Sequence, residues 1–161
     1  MTASATHAQE LRREAYTMAL YVAVCLLAAL IAAPHDGVES HAIGIIWGVT
    51  VGLALAHWFA FRVSAMLVSS GQVHARDVEL AGAQLAGAAV VAAAATVAIV
   101  VVPDSWEIAA VEFLLAALIA GVGFVTARSS GASGMRAAVY AVIVLAFATG
   151  IALLKNLLAG H

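Results

Sequence analysis

Five apolar runs follow one another in this chain with only short polar stretches between them. They cover 15–33, 42–69, 77–102, 106–127 and 135–158. A helix of about 20 apolar residues spans the roughly 30 Å hydrocarbon core of a bilayer. Helix is also the way an isolated chain segment keeps every backbone N–H and C=O paired where water is absent. The composition agrees: 65% of the 161 residues are hydrophobic and 10% are charged. Soluble domains run near half apolar and about a quarter charged, and a chain this small cannot hide so much apolar surface from water. The sequence therefore predicts an all-α integral membrane protein with five transmembrane helices and no separate soluble domain.

The punctuation supports the count. The first run stops at Pro34 and the third at Pro103, where the missing N–H ends a helix. The segment 129–134 reads Ser-Ser-Gly-Ala-Ser-Gly, a flexible turn. Asp77 and Glu79 suit a helix N-terminus, where carboxylates meet the positive end of the dipole. Asp104 or Ser105 is placed to cap the fourth helix. Arg12 and Arg13 precede the first run, as in a signal peptide, but the run exceeds a usual signal core and is expected to be a retained helix. The second run is longer than a bilayer needs and should tilt or project.

Charge gives the orientation. Cytoplasmic loops are enriched in Lys and Arg. In a five-helix arrangement Arg12, Arg13, Arg76, Arg128 and Arg136 share one side, and Asp36, Glu39, Asp104 and Glu107 share the other; Lys155 alone departs. The N-terminus is expected in the cytoplasm and the C-terminus outside. Residues 1–14 form a polar cytoplasmic segment and 15–161 a single five-helix domain, multi-pass in the cell membrane. An odd helix count excludes a simple duplicated inverted repeat.

In the second helix Gly44, Gly48, Gly52, Ala56, Ala60 and Ser64 recur every four residues. Such small-residue ridges let helix backbones approach closely in lipid. The ridge is either an internal packing seam or a contact between subunits. Smaller versions occur at Ala83 and Gly87, at Ala117 and Gly121, and along Gly134, Ala137, Ala141, Ala148, Ala152 and Lys155.

Ionisable groups within membrane spans are costly and so informative. His57 shares a heptad-spaced line with Thr50 and Ser64. That line can face a hydrated path, and histidine is a side chain that can gain or lose a proton; alternatively His57 is a structural group bonded to a neighbouring helix. Arg62 stands four residues after Trp58, in reach of its indole face. It is read either as an anion-attracting charge in a pore, or as a side chain that snorkels towards the cytoplasm or pairs with Asp77 or Glu79 across the turn. Glu112 and Lys155 sit at similar depth on adjacent helices, which predicts an ion pair: a structural clamp, or a gate. Thr50, His57, Arg62, Ser64 and Glu112 are the candidate ion path.

The loop bearing His35, Asp36, Glu39 and His41 holds metal-compatible side chains, but closed metal sites use tighter spacings, so a solvated loop is the expectation. Cys25 is the only cysteine, lies in an apolar run and reads as a small hydrophobe. No catalytic motif, phosphate loop or basic nucleic-acid patch is present. The chain is expected not to be an enzyme, to need no cofactor, and to partner with lipid and with copies of itself rather than nucleic acid.

Five helices with a cytoplasmic N-terminus, together with the texture of 52–56, 64–66 and 128–158, resemble the vacuolar iron transporter family. The resemblance implies a related scaffold. That family's acidic first-helix motif is missing from 15–33, and 70–76 is too short for its metal-binding insertion. The expected function is therefore a small oligomeric ion channel or transporter with pH-sensitive flux. The competing expectation is a membrane scaffold or partner subunit with purely structural polar residues.

The orientation has a direct test. Single cysteines replacing Ser133 and Asp104 should react with a membrane-impermeant thiol reagent from the cytoplasmic and external sides respectively. Labelling of both from one side overturns the topology.

Overall fold

The computed structural model describes residues 3–33, 41–68, 75–103 and 106–159. It is all-helical: α1 (Ala3–Ala32), α2 (Ala42–Val68), α3 (Ala75–Val101), α4 (Glu107–Ser129) and α5 (Gly134–Ala159). Each contains a span long and apolar enough to cross a membrane, so the chain is a multi-pass membrane protein. Hydroxyls within these spans donate back into their own helices. Thr50 Oγ1 reaches Ile46 O at 2.7 Å, Thr96 Oγ1 reaches Ala92 O at 2.8 Å and Thr126 Oγ1 reaches Val122 O at 2.8 Å. Each hydroxyl is thereby satisfied where water is absent.

α1 is the centre of the bundle and packs against each of the other four helices. Met18, Val22, Ala23, Leu26, Leu27, Ala28 and Leu30 are all buried. At about 100° per residue these positions point around most of the helix circumference, as expected of a helix enclosed by neighbours. α3 and α4 pack together, as do α4 and α5, and α2 and α3. Large side chains such as Phe113, Phe147 and Val100 point away from the bundle, where lipid tails surround a membrane domain.

The helix boundaries move in one informative place. α1 does not begin near 15 but at Ala3, so the polar segment is a continuation of the membrane helix. Thirty residues make about 45 Å of helix, well beyond a hydrocarbon core. The polar part has partners on the parallel helix α3: His7 Nε2 lies 2.6 Å from Glu79 Oε2, and Arg76 pairs with Glu10. α4 begins after Trp106, which gives it no side-chain cap; the expected caps Asp104 and Ser105 lie outside the described residues.

Small residues are used in two opposite ways. On α3, a Cβ at Gly87 would meet Ala15 O at 2.2 Å, so α1 and α3 touch backbone to backbone there. On α4, a Cβ at Gly123 would stand 3.4 Å from Ala141 Cα and from the Val144 side chain, and Ala137, Ala141 and Ala148 of α5 are buried. These are internal seams. The α2 ridge is not: Gly44, Gly48, Gly52, Ala56, Ala60 and Ser64 are exposed, and a Cβ at any of the three glycines meets nothing within 4 Å. The internal-seam reading of that ridge is therefore corrected. The buried face of α2 carries Ala42, Ile46 and Thr50 instead, nearly opposite the glycines.

Gly87→Ala should lower stability in detergent by about 1–3 kcal/mol, the usual cost of overpacking a filled contact. Thermal unfolding followed by circular dichroism measures it. An unchanged Tm would remove the α1–α3 backbone contact from the account.

Candidate functional site

α2 is packed on the bundle along its first half only. Ala42, Ile46 and Thr50 are buried, but residues 55–60 are exposed on every side of the helix. Trp47 marks the attached half: its Nε1 donates to Thr96 Oγ1 on α3 at 3.1 Å. Beyond it lie the residues with chemistry.

The candidate path divides at this point. Thr50 is 4% exposed and its hydroxyl is committed to Ile46 O, so it belongs to the packed interior and does not face a path. His57 and Ser64, on the same line, are exposed because the helix has left its neighbours by that depth. Ser64 Oγ donates to Ala60 O at 2.8 Å. His57 makes no hydrogen bond among the described residues. Arg62 is exposed, with its guanidinium carbon 5.8 Å from the Trp58 ring centroid, the expected cation–π contact. Glu79, one expected partner of Arg62, is engaged by His7.

Two further polar residues complete the region. Glu14 of α1 accepts a hydrogen bond from Gln84 Nε2 of α3 at 2.8 Å and pairs with Arg13 Nη2 at 3.1 Å. Its side chain is 22% exposed. His57 lies within electrostatic reach of this carboxylate. Glu14 is 18 residues from the end of α1 at Ala32, His57 is 15 from the start of α2, and Gln84 is 17 from the end of α3. At 1.5 Å per residue all three stand about 22–27 Å from the opposite end of the bundle. A carboxylate, an amide and an imidazole from three helices therefore share one level. Gly87, one turn from Gln84, sets the close approach that lets Gln84 reach Glu14. Such a group can hold and relay charge at the membrane boundary.

Sequence reading missed Glu14 because it follows Arg12 and Arg13 and was assigned to a polar tail. Gln84 carried a usable signal: an amide within a run of Ala, Gly, Leu and Val has to find a partner.

At the other end, Glu112 is half-buried on α4 and makes no hydrogen bond or ion pair among the described residues. The Lys155 side chain, its expected partner, lies outside the described residues, although α4 and α5 are packed neighbours. His35, Asp36 and Glu39 also lie outside them. His41 is exposed, and no group of three metal-ligating side chains forms among the described residues.

Comparison with protein-family models, with curated proteins and with solved structures finds no match to this chain. Nothing found bears on the resemblance to the vacuolar iron transporter family.

The Glu14–Gln84 bond joins α1 to α3. A double-mutant cycle of Glu14→Ala and Gln84→Ala, read by unfolding in detergent, should give a coupling of about 0.5–1.5 kcal/mol, the range of interhelical hydrogen bonds in membranes. Additive losses would show that the two side chains stabilise the bundle independently.

Proposed function

We propose that the chain is a subunit of a small homo-oligomeric ion channel or transporter, in which copies meet along α2. One observation carries this reading: α2 presents a ridge of small residues along its length on an exposed surface, with an exposed arginine and an exposed histidine in its second half. An arginine or histidine turned to lipid is expensive, and such groups in membrane spans face protein or water instead. Apolar helices gain little by associating in lipid, so attraction must come from close backbone approach, which Gly44, Gly48 and Gly52 permit. A second copy seated on the glycines would cover the face of α2 that also carries Arg62, while His57 continues the Thr50 line on the opposite face, open to a hydrated route past Glu14.

The charges bear on selectivity. Arg62, and His57 when protonated, attract anions; Glu14 and Glu112 work in the opposite sense. Protonation of His57 would alter the local charge and with it the flux. Nothing in the described residues forms a conduit within one subunit at Thr50, which supports a path between subunits. The same α2 face also fits the scaffold reading, in which a different membrane protein covers it.

Gly48→Leu and Gly52→Leu test the assembly. An added Cβ at either site meets nothing within 4 Å among the described residues, so helicity and Tm should be retained while mass by light scattering falls to that of one copy. In liposomes the wild-type protein should pass ions in a pH-dependent manner between about pH 5 and 8, and His57→Ala should flatten that dependence. Native mass in both glycine variants would defeat the α2 interface. Liposomes tight to protons, alkali cations, divalent metals and halides would leave the scaffold reading standing in place of transport.

A further inference from the structure

A second feature lies between α1 and α4, towards the arginine-bearing end. They leave an open groove of about 1020 Å³, at the upper end of the range of small-molecule sites. Its mouth carries Gln9, Arg12 and Arg13 from α1 and Ser129 from α4. Its deeper walls are Leu20, Leu118, Gly121 and Val122. From Arg12 to Leu20 is about 12 Å along α1, and from Ser129 to Leu118 about 16 Å along α4. The groove therefore runs parallel to the helices, from a cationic mouth into an apolar slot.

We infer that this groove is a binding site for one acidic phospholipid, its phosphate at Arg12 and an acyl chain along Leu20, Leu118 and Gly121. Charge complementarity selects this occupant. Among the described residues no acidic side chain lines the groove, and Arg12 has no hydrogen bond or ion pair. Arg13 shares its charge with Glu14, leaving Arg12 as the principal anion contact. The planar guanidinium matches a phosphate with paired N–H donors. Tyr16 is 60% exposed at the groove's edge, where amphipathic rings favour the headgroup level. Gly121 keeps the slot open: a Cβ there would meet nothing within 4 Å, so the space over the backbone is free for an acyl chain. A water-soluble phosphate would use the mouth and leave the slot empty, whereas a lipid fills both.

The test uses the full chain purified in a neutral detergent, titrated with dioleoyl phosphatidylglycerol, dioleoyl phosphatidylcholine or inorganic phosphate, with binding read by native mass spectrometry and by Tm. Phosphatidylglycerol should bind at one site and raise Tm, and the other two should not. Arg12→Gln should weaken binding about fivefold, the usual effect of one arginine near an anionic headgroup. Gly121→Leu should weaken it while leaving the phosphate contact intact. Arg136→Gln, at the same end on α5 but outside the groove, should bind as the wild type does. Equal stabilisation by phosphatidylcholine or by inorganic phosphate overturns the proposal. So does an equal loss in Arg136→Gln, which would signify a diffuse surface charge, or wild-type binding by both groove variants.

Discussion

At Gly87 the backbone of α3 comes against the carbonyl of Ala15, closer than any side chain would allow. Much of the bundle depends on that contact. In lipid there is no hydrophobic force to draw apolar helices together, so dispersion between closely apposed backbones has to do it. The approach brings α3 within reach of the polar start of α1, where Glu10, His7 and Glu14 find Arg76, Glu79 and Gln84. α2 then closes only partly onto α1 and α3, through Ala42, Ile46, Thr50 and the Trp47–Thr96 bond. What α2 leaves uncovered is the surface on which the functional reading rests.

The helices themselves were plain in the sequence, because lipid imposes a length and a composition that few other folds share. Their ends were less plain. The start of α1 was misplaced by about a dozen residues: Glu10 and Glu14 look like a soluble tail until their partners on α3 are known. Burial was the least legible property. In water an amphipathic stripe marks the buried face, but a membrane helix is apolar towards both lipid and protein. Nothing in Met18, Val22 and Leu26 distinguishes them by type from Val97, Val100 and Val101, yet the first three are enclosed and the others are exposed. Small residues were similarly ambiguous. Gly87 and the α5 residues Ala137, Ala141 and Ala148 lie in seams within the chain, whereas the longer and more regular α2 ridge faces outwards.

The candidate site was legible in part. His57, Arg62 and Ser64 drew notice as polar groups in an apolar helix, and the Arg62–Trp58 contact follows from their spacing. Thr50 was included by periodicity but is buried, because a heptad line followed along a helix that leaves its bundle passes from interior to surface. Glu14 and Gln84 enter through tertiary contact alone. Periodicity describes one helix, and this site is assembled from three.

The central position of α1 also bears on the order of assembly. It precedes all of its partners in the chain, so during synthesis it is in the membrane before any of them arrives. Each later helix then meets a partner already seated rather than one still to be made, and no segment has to wait for a distant one before it can dock. The neighbouring pairs α2–α3, α3–α4 and α4–α5 are added by short connections on a template already in place. A bundle arranged in this way can be built in the sequence in which it is translated, each later helix docking on a partner already inserted.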